Sequence, residues 1–428
     1  MQAANVLAGT TVTSATQAVD NDTTGAGDIT LAQATGTSNI SQAVNHTEAG
    51  TITALNQNIN TVELVLGQTG GSKNSQVGNH AKALTNVTTL AQQTKASRKI
   101  DMDQVTGGDG NLQALNAAEV TKVSGTVSQT VSTGLTNIDL KQEQQTSSQQ
   151  TANYLTSPGT VASVTQVSYY NSPRIATLLQ DNTTTAQQAL NFIEMTGGAD
   201  KLTKGTQTVG LATLDMGQGE TGANSGSDQA VNLLFLDDNL VLATQTVTAD
   251  IDLTQAKGAD NTQAVNSVSG KNITTKLTQT VTGVSDNMTQ GGDGASNNFQ
   301  AGNFLDVEYA NGTIASVQQN YNATTLARMR QDGITSGVQG LNVIDASRSG
   351  VKVTSADQNV VVPALTMRQG ESKGTATSVQ AGNTVLAGST AVGGKVDQDV
   401  LVATTLAMTQ ANATTSTQAA NFTGNRPR

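Results

Sequence analysis

The chain holds two histidines, His46 and His80, and each directly follows a Gln-x-x-Asn tetrad, "QAVNH" at 42–46 and "QVGNH" at 76–80. Equal places in two copies of one motif would set the imidazoles side by side. With Glu48 nearby, they are the candidate ligands for a bridging divalent metal, which takes imidazole nitrogen and carboxylate oxygen. The competing reading is a slot that simply varies, because other copies place Tyr154, Phe192, Phe304 and Phe422 there. On balance no metal and no cofactor are expected.

Carboxylates recur in the same manner. Asp101 and Asp139, and again Asp215 and Asp252, hold equivalent places in the segments "IDMDQ", "IDLKQ", "LDMGQ" and "IDLTQ", while Asp237 and Asp238 are expected on a loop. Paired carboxylates are the usual acid and base of glycoside hydrolysis. A solvated acidic face accounts for them equally, and aromatic platforms for sugars are scarce, so no catalytic residue is assigned and the chain is not expected to be an enzyme. "GGDGN" at 107–111 and "GGDGA" at 291–295 resemble calcium-binding glycine/aspartate repeats but lack the longer nonapeptide pattern and read as turns. No Thr-x-Thr face suited to ice binding recurs on every repeat.

Whatever positions these residues must have a thin core. Of 428 residues only 2% are aromatic and none is Trp, so the side chains that fill a thick interior are missing. Charged residues make up 13% with a net charge of −10, and neither a basic cluster nor stacking aromatics suggest nucleic acid as a partner. Without Cys there is neither disulfide nor thiolate chemistry. No stretch approaches the roughly 18 apolar residues of a membrane span, and "MQAANVLAGTTVTS" lacks the charged and apolar regions of a leader; for a secreted protein this implies a processed chain or an address elsewhere.

The scaffold is a repeat. A Gln followed three places later by Asn occurs at Gln2, Gln42, Gln76, Gln113, Gln150, Gln188, Gln229, Gln263, Gln300, Gln339, Gln380 and Gln418, with partners Asn5, Asn45, Asn79, Asn116, Asn153, Asn191, Asn232, Asn266, Asn303, Asn342, Asn383 and Asn421. These anchors open successive repeats of about 38 residues, the last one partial (418–428), within a single domain spanning 1–428. Between anchors lies a second Gln with an aliphatic residue two places on, as at Gln17, Gln57, Gln129, Gln245 and Gln279. A third segment ends in Gln33, Gln68, Gln104, Gln142, Gln180, Gln218, Gln255, Gln290, Gln331, Gln369 or Gln410, and the residue two before it is always Leu or Met. Two places earlier still the residue is usually aliphatic, with Asp286 the clear exception.

A side-chain period of two places the aliphatic residue, the Leu or Met and the Gln on one face of a strand, with polar residues between them facing water. Three such strands per repeat, joined by Gly/Asn/Asp/Ser turns, predict an all-β fold: a parallel β-solenoid of about 11 coils, three short strands to a coil and triangular in section. A lone buried Gln would be costly. Stacked on its equivalents about 4.8 Å apart, it can pass amide N–H to amide C=O along a continuous ladder. The Asn, at an odd offset from its Gln, cannot share that face in an unbroken strand and is expected at a corner with left-handed backbone, where a second ladder of its own is open to it.

The Gln and Asn at fixed spacing, with "QVGN" at 76–79 and "QAGN" at 300–303 and 380–383, resemble the curlin repeats of bacterial curli fibres. A third strand, the Ala after many of the anchors and the Leu/Met column depart from that pattern. The resemblance implies a secreted, self-assembling surface or matrix fibre. The motif begins at Gln2 and ends at Asn421 with no atypical capping segment, which predicts open solenoid ends and a head-to-tail homopolymer, extracellular or on a cell surface, with the chain itself as the main partner and surface or matrix contacts beside it. Thirty-four strands, one beyond a whole number of triangles, predict a turn of roughly 120° and an advance of about 54 Å per subunit. The alternative is a β-helical tail-fibre or polysaccharide-acting protein.

Overall fold

The computed structural model describes residues 1–21, 27–34, 38–134, 137–170, 175–197, 201–292, 294–388 and 392–425. It is a parallel β-solenoid of about 10 turns spaced some 38 residues apart, with no helix among the described residues, as the alternation predicts. The first coil consists of strands Gln2–Val12, Ala15–Asp20 and Asp28–Gln33. Each pairs in parallel with the coil above, aligning Gln2 with Gln42, Gln17 with Gln57 and Gln33 with Gln68. In Ser41–Ser72 and Ser75–Asp109 the extended chain runs through all three sides, so two of the corners there are bends and not loops.

The sharp corner lies where a third strand passes to the next first strand. Three places before the anchor Gln the backbone is left-handed in every coil after the first: Asn39, Lys73, Gly110, Ser147, Thr185, Gly226, Asp260, Asn297, Ser336, Thr377 and Thr415. Asn, Asp and Gly tolerate this region; the others are held there by the ladders on either side. One place further on, a short polar side chain caps the layer beneath. Asn111 accepts from the Asn74 N–H, Ser148 from Asn111, Asn261 from Ser227 and Asn298 from Asn261.

The Asn after the anchor is therefore not a left-handed corner residue, which corrects the sequence expectation. Asn116 lies within Leu112–Val120 and Asn153 within Gln149–Ser157, both fully buried and both with ordinary backbone. The premise that failed is the unbroken alternation. Leu115, two after Gln113, and Asn116 both point inward, and the pairing skips the Leu115/Ala152 level between two regular pairs. The strand thus bends at this point and shifts the inward face by one residue.

The bend divides the interior. On one side Leu155, Val161, Val164 and their equivalents pack between the far half of the first strand and the near half of the second. On the other, Leu115, Val131, Ile138 and Leu140, with their equivalents, include the Leu/Met column. The outer side of the bent strand is concave and holds a further apolar column with Ala114, Ala117, Tyr154, Phe192 and Leu233, continued by Phe299, Phe304 and Val343. All five phenylalanines, with Phe235 and Phe422, pack on this outer side and none in the interior.

The one aromatic inside among the described side chains is Tyr321, and it explains the exceptional Asp286. The Tyr321 hydroxyl donates to Asp286 Oδ2 at 2.7 Å, and Asp286 Oδ1 accepts the Ile251 N–H at 3.0 Å. Room for the ring comes from small neighbours. A Cβ at Gly302 would meet it at 2.5 Å, and Ala327 stands in a column that carries Leu365 in the next layer and Ile or Leu in most others. Burial pushes the Asp286 carboxyl up to about 6, despite the bond from Tyr321.

Candidate functional site

The buried amides form columns along the rod. In the first column Gln113 Nε2 donates to Gln76 Oε1 at 2.9 Å and Gln150 to Gln113 at 2.8 Å, and the series continues to Gln418, which donates to Gln380 at 2.7 Å. The third column behaves alike, from Gln68 on Gln33 at 2.9 Å to Gln410 on Gln369 at 2.7 Å. These are the two columns expected from the sequence.

The second Gln of each repeat makes another column, which sequence reasoning recognised as a strand but not as a ladder. It runs from Gln57 on Gln17 at 2.8 Å through Gln166 on Gln129 and Gln207 on Gln166 to Gln398 on Gln358 at 2.8 Å. The anchor Asn residues make a fourth, with bonds of 2.8 Å from Asn5 to Asn45 and from Asn116 to Asn153.

The second Gln and the Asn face each other across the waist between the two apolar compartments. Each uses its remaining N–H to bind the opposite backbone: Gln129 donates to the Tyr154 carbonyl at 2.7 Å, and Asn116 to the Thr130 carbonyl at 3.0 Å. First and third columns meet likewise at the sharp corner, where Gln150 reaches the Met102 and Lys141 carbonyls. Both amide hydrogens are thus used, one along the rod and one across it. None of the column amides is among the buried side-chain atoms left without a partner. The arrangement satisfies groups whose burial would otherwise cost about 1–3 kcal/mol each.

The columns have direction. Every Gln of the columns donates toward the amino-terminal end of the rod, and every Asn of the fourth column donates toward the carboxy-terminal end. The first layer therefore offers the Gln2 N–H and the Asn5 carbonyl, and the last layer the Gln418 carbonyl and an Asn421 N–H. Both end layers also open the core. Leu406 and Met408 are 47% and 41% exposed, whereas Leu365 and Met367 one layer below are fully buried. At the other end an opening of about 290 Å³ is lined by Val19, Ile29, Leu31 and Val44 between Gln2 and Gln42.

His46 and His80 are stacked neighbours, as expected, with their Nδ1 atoms 3.1 Å apart and both rings buried. His80 Nε2 meets Glu119 at 3.0 Å, and Glu48 is paired with Lys82 at 2.9 Å rather than turned to the imidazoles. Burial, and then His80, lowers His46 to about 4. Among the described residues no group of three or more His, Asp or Glu is arranged to hold a metal ion. The pair belongs to the outer column of the bent strand, in the slot that Tyr154 and Phe192 fill further along.

Asp101 aligns with Asp139, and Asp215 with Asp252, on adjacent layers of one outer face. Carboxylates stacked on the same side of a surface do not flank a sugar from two directions as glycoside hydrolysis requires. Asp237 and Asp238 lie within the extended segment Asp228–Gln255 and not on a loop; Asp237 accepts from the Tyr309 hydroxyl at 2.9 Å. Gly107 and Gly110 have left-handed backbone in "GGDGN", as a turn requires, while Asp293 of "GGDGA" lies outside the described residues. No family model matches the chain, and no curated protein or solved structure matches it either.

Proposed function

We propose that this protein is the structural subunit of an extracellular filament, a surface or matrix fibre of the curli-like kind, built by head-to-tail stacking of solenoids. The observation that carries the reading is the direction of the amide columns. The Gln columns present donors at one end and acceptors at the other, and the Asn column does the reverse. An end is therefore complementary to the opposite end of another copy and not to its own kind, since like ends would set donor on donor. Such an interface is heterologous and propagates without closing.

Each end also leaves apolar core surface uncovered. Leu406 and Met408 project from one end layer, and the opening beside Ile29 and Leu31 lies at the other. The three sides of a coil are unlike, the first bent and lined with aromatics outside, the third short. A 120° turn at the junction would set a bent strand on a straight one. The favoured junction keeps columns in line, Gln2 on Gln418 and Asn5 on Asn421, with one second and one third strand still to be supplied there. Its rise is then about 58 Å per subunit at 4.8 Å per layer.

Electron microscopy of the purified protein tests this. Filaments in which each end-to-end row of subunits has a single axial polarity are expected, and the variant Leu406→Glu/Met408→Glu, still rich in β-structure by circular dichroism, should not elongate. Wild-type protein that stays monodisperse at every concentration would rule out the filament.

A further inference from the structure

We infer that the outer face of the third strands is a lateral docking surface for a second copy of this chain lying antiparallel, with Asp215 and Asp252 of each copy set against Arg368 and Arg328 of the other. The inference does not depend on end-to-end stacking. Each third strand turns two side chains outward, and the ladder register aligns them along the rod. The first outward place reads Asp101, Asp139, Thr177, Asp215 and Asp252, passes the uncharged Asn287, and then reaches Arg328 and Thr366; the second carries Arg330 and Arg368 before Thr409. The face is acidic over one stretch and basic over the next, with Asn287 and Thr289 between them.

Each stretch is partly neutralised within the chain, Asp101 by Lys99 at 2.6 Å for example, and each keeps charges that are unpaired among the described residues. Asp215 and Asp252 are exposed, and no ion pair reaches them among the described residues. Partial burial raises both carboxyls, and Asp215 raises Asp252 further. Glu220 stands near the acidic stretch, with its own carboxyl raised by burial and then by Asp181 and these two aspartates. On the basic side Arg330 is paired with Asp332 at 2.7 Å and Arg368 with Glu371 at 3.3 Å, while Arg328 is exposed and makes no ion pair among the described residues. A groove of about 580 Å³ runs among Arg328, Arg330, Arg368 and Asp252.

Two ways of pairing this face with itself can be compared. With the rods parallel, each layer meets its own equivalent, Asp on Asp and Arg on Arg. With a two-fold axis along the Asn287 strand the rods are antiparallel, and layers equally distant from Asn287 meet. Asp252, one layer below, then faces Arg328, one layer above. Asp215, two below, faces the layer of Thr366 and Arg368, and the uncharged Asn287 and Thr289 meet their own copies. Charge complementarity selects the antiparallel pair.

The test uses sedimentation of Leu406→Glu/Met408→Glu rods, so that side-by-side pairing is read apart from elongation; if wild-type protein does not elongate, it serves unchanged. At low salt the rods should sediment with twice the mass of one chain, and should separate in about 1 M salt, where the Debye length falls to about 3 Å. Adding Asp215→Arg/Asp252→Arg, or separately Arg328→Asp/Arg368→Asp, should leave single rods. An equimolar mixture of the two should restore the doubled mass, because each reversed patch then meets its reversed counterpart. Single rods at low salt without the charge substitutions, or undiminished pairing in either charge variant, would overturn the inference.

Discussion

A primary carboxamide is uncharged yet carries two N–H donors beside an acceptor with two lone pairs, which is why Gln rather than Ser, Glu or Lys occupies these columns. One donor and one acceptor continue the column, and the second N–H ties the column to a backbone carbonyl. Gln166 illustrates the cost of disturbing this: it donates to Gln129 and to the Phe192 carbonyl and accepts from Gln207. Gln166→Glu removes the donors at neutral pH and should cost about 3–5 kcal/mol, with part recovered below pH 5 as the carboxyl gains a proton, readable in denaturant melts across pH. Two native groups give the fold opposing pH responses. Asp286 has a folded value raised to about 6, so its contribution is complete below about 3.8 and is lost as pH rises through 6. His46 is lowered to about 4, so its contribution is complete above about 6.5 and is lost as pH falls through 4. Melts of Asp286→Asn should show stability falling from pH 7 to 4 more steeply than wild type, and those of His46→Ala should show the reverse tilt; parallel wild-type and variant profiles would contradict both assignments.

At the scale of the element, the short strands gain their order from neighbours above and below more than from length. The corner before each first strand shows this, since it forces β-branched Thr185, Thr377 and Thr415 into left-handed backbone where other coils use Asn, Asp or Gly. Thr185→Asn is expected to stabilise the protein by about 0.5–1 kcal/mol, seen as a raised melting temperature, even though the Thr185 contact with Ser147 is lost. Tyr321, Asp286 and Gly302 form a coupled exception to the pattern of the sides they occupy. Tyr321→Val should cost about 2–4 kcal/mol by leaving a cavity and an underbonded carboxyl. Asp286→Ile added to it should cost less than the two effects summed, which a double-mutant cycle measures.

At the scale of the whole molecule, a solenoid is a one-dimensional stack in which each layer is stabilised by the two beside it, so its end layers are its weakest. Leu406 and Met408, exposed in the last layer, belong to a column fully buried one layer down. Wild-type protein should accordingly grow more resistant to denaturant as its concentration rises, whereas Leu406→Glu/Met408→Glu should not. Fibre diffraction from aligned material should place a reflection near 4.8 Å along the axis. On the antiparallel pairing inferred above, the acidic and basic stretches of the third-strand face would add a second, salt-sensitive direction of association that joins rods in pairs.

The sequence by itself determined the strand count of each coil, the register and the first and third amide columns, because a side-chain period of two and a repeat of about 38 residues leave a parallel stack little freedom. Gln33 and Gln68 could be matched without coordinates, since Leu31 and Leu66 mark the same inward face. Three other features were decided only by tertiary structure. Asn116 was misplaced because a strand that bends at Leu115 breaks the parity on which sequence reasoning rests. The second Gln column and the Asn column become a paired wall only because that bend brings their strands together. The opposed directions of the columns, on which the filament proposal rests, depend on the side-chain rotation of each amide, which the backbone of its own strand does not fix and the carbonyl across the coil does.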